Sequence, residues 1–409
     1  MNLANIRAQF GYLKNNPQEI YFDSSATFLK PLIVSRAEQF YYEHINANPH
    51  SFDYQNAYQS NQILSQTRKQ VQTFINARSE QEVVFTSGAS FGLNQIAFGL
   101  RDYLNPGDEI FVSDLEHSSN LVPWLVLAQE KQLVIKEIPL TETFAIDIDQ
   151  LSKMITPKTK VVSFAVMSNT IGISNDVKKI TTAIKQVNVQ TLVCVDGAQS
   201  VGHQKTDVQA WGVDFFTFSA HKMYGPFGVG VLYGNQNVLE TLKPLVFGGG
   251  MSESVRVEPL KYQLTPLPVR LEAGTPNIAG IYAFSKALDF INEIGIETIH
   301  NHELKLKKYA QTKIKEANLN SELVFYNLEN DAPMLLFNLK GVNPQDIASF
   351  LAHDYQISVR SGAMCARLTA ELGFKISVRV SFGIYNTEKE IDKLVEGLKN
   401  IEHFLDHIL

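Results

Sequence analysis

The chain has 409 residues, 44% of them hydrophobic and 19% charged, which allows a large core and more than one domain. Its net charge of −6 gives no basic balance for nucleic acid or an anionic membrane surface, so neither is expected as a partner. No apolar run reaches the roughly 20 residues that span a bilayer, and the two cysteines, Cys194 and Cys365, are too few for a disulfide framework.

The opening MNLANIRAQFGYLKNN lacks the basic-then-apolar pattern of a signal peptide, so a cytoplasmic location is expected. From about residue 80, short apolar runs alternate with helical stretches. Expected strands are EVVFT (82–86), EIFVS (109–113), VVSFAV (161–166), TLVCVD (191–196), DFFTFS (214–219) and GVGVLY (228–233). Most are continuous apolar runs, which suits strands covered on both faces of a sheet. The segments 90–100 and 122–132 between them carry helical spacing. The pattern predicts an α/β layer with a mainly parallel sheet, whose ligand sites lie at the strands' carboxyl ends. A Gly/Pro-rich stretch, 247–277, follows and could form a hairpin. Beyond it come a long helical run at 279–318, MLLFNL (334–339), a helix from NPQDIASFLAHD, then ISVRS and KISVRVSF. Ile391, Leu394, Val395, Leu398 and Ile401 repeat at helical spacing near the end. This C-terminal part (286–409) reads as a smaller α+β domain beside a large one (21–285), with residues 1–20 as an arm on the small domain.

Polar groups collect at the strand ends. Asp196 closes TLVCVD, where a buried carboxylate needs a partner; it either caps the turn DGAQS or pairs with a protonated heteroaromatic nitrogen. DFFTFS delivers Ser219, His221 and Lys222. A lysine held in a dry pocket has a lowered pKa and a nucleophilic amine. FTSGASFGLN (85–94) is a strand, a small-residue turn and a helix start, suited to a phosphate through Ala89 and Ser90, or simply a helix cap. His117 stands just past another strand end, as a structural histidine or a catalyst. Asn169 in VMSNTIG is a turn former or a ligand. Together a Schiff-base lysine, an aspartate for a pyridinium and a phosphate grip describe pyridoxal 5′-phosphate.

On these and further segments the chain resembles the class V group of fold-type I pyridoxal-phosphate enzymes, and within it the Suf-type (group II) cysteine desulfurases. The segments are YFDSSAT (21–27), EHSSNLVPW (116–124), MSNTIG (167–172), VDGAQSVGH (195–203), FSAHKMYGP (218–226), FGGGM (247–251), EAGTPN (272–277), VRSGAMCA (359–366) and VRVSFGIYNT (378–387). The resemblance implies a large domain around a mainly parallel seven-stranded sheet, with a smaller α+β C-terminal domain carrying the nucleophilic cysteine. It implies that Lys222 holds the cofactor and moves protons, and that Asp196 pairs with the ring nitrogen. Gln199 would bond the ring hydroxyl, and His117 would stack on the ring. Ala89, Ser90, Ser219 and His221 would grip the phosphate. Thr275 would reach the phosphate of a neighbouring subunit, which makes a homodimer the expected assembly. Arg379 and Asn169 would bind the substrate carboxylate; without the resemblance, Arg379 reads as an ordinary strand-end arginine. Cys365 would accept sulfur from L-cysteine as a persulfide and pass it to a small acceptor protein for iron–sulfur cluster assembly.

The chain departs from that pattern in two places. Ala89 stands where the phosphate turn usually has a threonine, and Ala363 and Met364 stand where a pair of histidines usually precedes the cysteine. Arg360, the substrate or a partner would then have to assist Cys365. Selenocysteine lyase or cysteine sulfinate desulfinase activity remains an alternative, as does a class V aminotransferase or epimerase that does not use Cys365.

Overall fold

The computed structural model describes residues 2–49, 51–321, 323–366 and 376–401. A two-residue strand, β1 (Ile20–Tyr21), comes first. It is followed by β2 (Val83–Thr86), β3 (Glu109–Val112), β4 (Val134–Glu137), β5 (Thr159–Ala165), β6 (Leu192–Asp196), β7 (Phe215–Ser219) and β8 (Gly230–Gly234). These last seven form one sheet in the spatial order β2-β8-β7-β6-β5-β3-β4. The pairs among β7, β6, β5, β3 and β4 are parallel, and β8 runs antiparallel to both of its neighbours.

The apolar runs are continuous because both faces of this sheet are covered. Successive residues of one strand point to opposite faces, and here each face has its own core. Ile110, Val161, Cys194 and Phe215 join one cluster with Ile96, Trp124 and Leu127. Their chain neighbours Phe111, Val162, Val193 and Phe216 join the other, with Phe284, Leu288 and Ile291. Cys194 is thereby fully buried, a packing residue.

The expected stretch at 247–277 contains an antiparallel hairpin of β9 (Ser252–Arg256) and β10 (Lys261–Leu264). The expected single helical run at 279–318 is two helices, Ile278–Ile294 and Ile296–Glu316. Gly295 separates them at φ 87°, in the left-handed region that glycine enters without steric cost. A second sheet follows, from β11 (Leu323–Phe325), β12 (Met334–Leu339), β14 (Arg360–Gly362) and β15 (Ser377–Ser381). Its order is β11-β12-β15-β14, antiparallel throughout. The short strand β13 (Ile357–Ser358) pairs in parallel with β1, and Asp23 bridges to Ser381. The start of the chain is therefore stitched to the second sheet. Thr387 caps the helix Glu388–Lys399 through a capping box with Glu390, and Arg7 pairs with that same Glu390 at 2.8 Å. Among the described residues no helix is long and apolar enough to cross a membrane.

Candidate active site

The carboxyl ends of the parallel strands open on a cavity of about 540 Å³. Its lining includes Ala89, Ser90, His117, Asn169, Asp196, Gln199, Ser219, His221, Lys222, Cys365 and Arg379, which are the expected site residues apart from Thr275. Thr275 accepts a hydrogen bond from Asn48 Nδ2 at 3.2 Å and lines a separate depression of about 250 Å³. Within one chain, then, it does not reach the main cavity. A larger depression of about 830 Å³ lies around Lys69, Lys205 and the turn at Gly295, away from the strand ends and from all of these residues.

Each wall of the cavity has its own origin. Strand β6 ends in Asp196, which is 6% exposed; one of its oxygens accepts the Ala198 N–H at 2.9 Å. Burial pushes this carboxyl above its ordinary range, while the Ala198 bond and the charge of Lys222 pull the other way. Strand β7 ends in Ser219, and one 3-10 turn, Ala220–Lys222, carries His221 and Lys222 into the site. Desolvation lowers the Lys222 ammonium from 10.5 to about 8; Asp196 and Cys365 oppose this and Arg379 adds to it. Lys222 and Cys365 line the same cavity, so amine and thiol share one enclosure.

The turn after β2 makes an anion cradle. Gly88 precedes the helix Ala89–Gly99 at φ 154°, and a Cβ there would stand 3.3 Å from Ser219 Oγ. The Ala89 N–H donates to Ser219 Oγ at 2.8 Å, and Ala89 and Ser90 at the helix start line the same cavity as His221. His221 Nδ1 is buried with no partner among the described residues. Burial, with Lys222 and Lys30 nearby, holds His221 down near 4.

His117 is the N-cap of the helix Ser118–Lys131, and its Nδ1 accepts the Ser119 N–H at 3.1 Å. That acceptor role leaves the ring proton on Nε2. Burial, then Lys222 and Arg379, lower its pKa to about 4, so the imidazole is neutral at physiological pH. Ser119 Oγ also bonds Ser90 Oγ at 2.6 Å, linking the histidine to the cradle. Gln199 Nε2 donates to the Ser25 carbonyl at 2.9 Å, while Ser25 Oγ is buried without a partner among the described residues.

Arg379, from β15, is 3% exposed. Its guanidinium donates to the Asn169 carbonyl at 2.6 Å and lies 3.5 Å from Asp23 Oδ1, while its Nε is buried without a partner among the described residues. Arg360 stands 3.8 Å from the other Asp23 oxygen. Asn169 Nδ2 donates to the Met364 carbonyl at 2.7 Å, and its Oδ1 is buried without a partner among the described residues. Cys365 is exposed and Met364 buried, both at φ 52°. A left-handed non-glycine residue costs about 1–2 kcal/mol, so this turn persists only because surrounding bonds hold it.

Asp23, Ser25 and Ser119 belong to this site, and sequence reasoning assigned them no role. The signal was present, since all three lie in the motif segments YFDSSAT and EHSSNLVPW. What ties Asp23 and Ser119 to the site, however, comes from distant parts of the chain, Arg379 and Ser90.

The donor set fits a ligand with three features. A buried carboxylate lacking a cation calls for a protonated ring nitrogen. The orphaned His221 nitrogen and the glycine-opened cradle call for a phosphate. The low-pKa amine calls for an aldehyde carbon. The unpartnered Arg379 Nε suits an additional carboxylate.

Comparison with known proteins agrees with this chemistry. The sequence pattern of the class-V aminotransferases matches residues 20–394. A probable cysteine desulfurase of Ureaplasma parvum is 40% identical over 394 residues, covering 96% of this chain and 96% of the relative. The apo structure of a cysteine desulfurase from Thermococcus onnurineus superimposes with a TM-score of 0.91 at 33% identity, covering 97% of both chains. The Escherichia coli cysteine desulfurase CsdA, in an S-sulfonic acid form, gives a TM-score of 0.88 at 34% identity over 99% of both chains.

Proposed function

The chain belongs to the class-V aminotransferase family, and from that premise we propose that it is a pyridoxal-phosphate-dependent L-cysteine desulfurase that releases L-alanine. The observation that carries this reading is the single cavity shared by Lys222, Asp196, Arg379 and an accessible Cys365. An aminotransferase or epimerase would not need a thiol facing the lysine.

Bound in this cavity, the cofactor would supply an electron sink for the substrate's bond changes. Lys222 would hold it by its amine, Asp196 would face its ring nitrogen, and His117 would lie against its ring. Its phosphate would sit among Ala89, Ser90, Ser219 and His221, and Gln199 would be within the same lining to meet the ring hydroxyl. Substrate binding falls to Arg379, whose fork is held by Asp23 and the Asn169 carbonyl, with Nε among the donors left for the carboxylate. With a pKa of about 8, roughly a quarter of Lys222 amines are unprotonated near pH 7.5, enough to take a proton from a bound substrate. Neutral His117 carries its proton on Nε2, the nitrogen left to face the ligand. The Cys365 thiolate would attack the substrate's sulfur. The substrate's carbon–sulfur bond breaks with its electron pair left on the carbon, and a proton on that carbon completes alanine. The sulfur stays on Cys365 as a persulfide that its exposure lets an acceptor reach.

A small acceptor protein feeding iron–sulfur assembly, a homodimer to which Thr275 and the β9–β10 hairpin contribute, a cytoplasmic setting, and the division at about residue 285 all belong to this proposal. The test is alanine and sulfide production from L-cysteine with a thiol reductant, by wild type and Cys365→Ala. Equal yields of both products, lost in the variant while the cofactor's absorbance persists, support the proposal. Full activity in the variant, or no alanine from wild type, refutes it.

A further inference from the structure

The thiol of Cys365 can do its work only if its small-residue segment is held toward Lys222. Immediately before the cysteine stand Gly362, Ala363 and Met364, none with a polar side chain. Its backbone is held instead. Both the N–H and the Oγ of Ser118 donate to the Cys365 carbonyl, each at 2.7 Å. One residue earlier, Asn169 Nδ2 holds the Met364 carbonyl, and one residue later Ala366 bridges His117. Ser118 is the first residue of a 14-residue helix with His117 as its N-cap. The first N–H groups of a helix have no partner within it, so the nucleophile's own carbonyl fills the place of a capping group.

We propose that Ser118 is a positioning residue for sulfur transfer: by donating twice to the Cys365 carbonyl, it docks the nucleophile's peptide onto the helix that carries His117. The inference rests on the desulfurase reading and deepens it. Ser118 touches no reacting atom. It acts by holding the left-handed Met364–Cys365 turn, which decides the direction in which the thiol leaves the backbone. A serine suits the task because its hydroxyl is short enough to reach the oxygen already held by its own amide. Cofactor-facing His117 and sulfur-accepting Cys365 thereby share one joint.

The helix itself allows a clean perturbation. Proline is accepted at the first helical position, and His117, at φ −62° and ψ 144°, already has the extended conformation required before a proline. Ser118→Pro therefore removes both donors without breaking the helix. Ser118→Ala removes the hydroxyl alone, and Ser118→Thr keeps both. The holoenzymes are compared by backbone hydrogen exchange over residues 359–366, with steady-state L-cysteine kinetics alongside. We expect exchange over 359–366 to be about tenfold faster or more in Ser118→Pro, kcat to fall about tenfold and KM to stay within twofold. Exchange over 192–201 stays unchanged, and Ser118→Thr restores both readouts. Exchange and kcat within twofold of wild type in Ser118→Pro overturn the proposal. If that variant loses its fold, Ser118→Ala decides: its exchange over 359–366 rises about threefold, or the proposal fails. Faster exchange in a protein that makes no alanine even as wild type would refute the desulfurase reading and leave the docking role standing.

Discussion

Replacing Asp196 separates the two roles that its position permits. Asp196→Asn keeps an oxygen for the Ala198 N–H and removes the charge, whereas Asp196→Ala removes both. In the cofactor-stripped protein the carboxylate is 6% exposed, and burial raises its pKa above the ordinary 3.8. A carboxyl with a raised folded-state pKa binds its proton more tightly folded than unfolded. Its stability contribution therefore falls as pH rises above 3.8, and the loss is complete above the folded pKa. An unpaired buried carboxylate costs several kcal/mol in principle; the Ala198 bond and the attraction of Lys222 reduce this to about 1–3 kcal/mol. In a chain of this size that is about 1–4 °C in melting temperature. Stripped Asp196→Asn should thus melt above stripped wild type at roughly pH 8, with the difference vanishing in acid. Adding pyridoxal phosphate should stabilise the wild type more than the variant, because only the wild type supplies the ring nitrogen's counter-charge. Differential scanning fluorimetry with and without cofactor reads all four values. If Asp196→Asn melts with the stripped wild type at roughly pH 8 and only Asp196→Ala falls below it, the carboxylate is a turn cap and the electrostatic reasoning is wrong.

Two further outcomes follow from the same cavity. Uptake of pyridoxal phosphate by stripped protein requires an unprotonated Lys222, so its rate should rise with pH to half its maximum near pH 8, as followed by absorbance; a midpoint near 10.5 would refute the burial effect. Arg379→Lys exchanges a fork for a point charge and loses the bond to the Asn169 carbonyl. KM for L-cysteine should rise about 10- to 100-fold with a smaller change in kcat, measured by initial rates of alanine release.

What could be seen in the sequence was governed by burial. The six expected strands were legible because their runs are apolar on both faces. The seventh, Val134–Glu137, is an edge strand with no fully buried residue and lies opposite Glu109–Val112. Its residues, VIKE, show neither a continuous run nor clear alternation. The break at Gly295 was hidden because both flanking helices keep apolar spacing across it. Lys222, Asp196 and Cys365 stood out because their residue types sit oddly beside strand ends or in a small-residue turn. Asp23 did not, since a carboxylate after an apolar pair is ordinary until Arg379 is seen 3.5 Å away. Ser118 was likewise silent: its partner is a backbone carbonyl, which leaves no trace in side-chain pattern.

The pairing of β1 with β13, and of Asp23 with Ser381, also sets a timetable for the chain's birth. Arg379 lies 356 residues beyond the carboxylate that orients it. Contacts so remote in sequence close late, after the loop entropy of nearly the whole polypeptide has been overcome. While the ribosome is still making residues before Ile357, the seven-stranded sheet can already pack most of both its faces, yet Asp23 has no Arg379 and the first strand no mate. If Lys222 holds the cofactor as proposed, its capture can thus precede competence toward substrate. A nascent or C-terminally clipped chain would carry the coenzyme and remain unable to turn over cysteine.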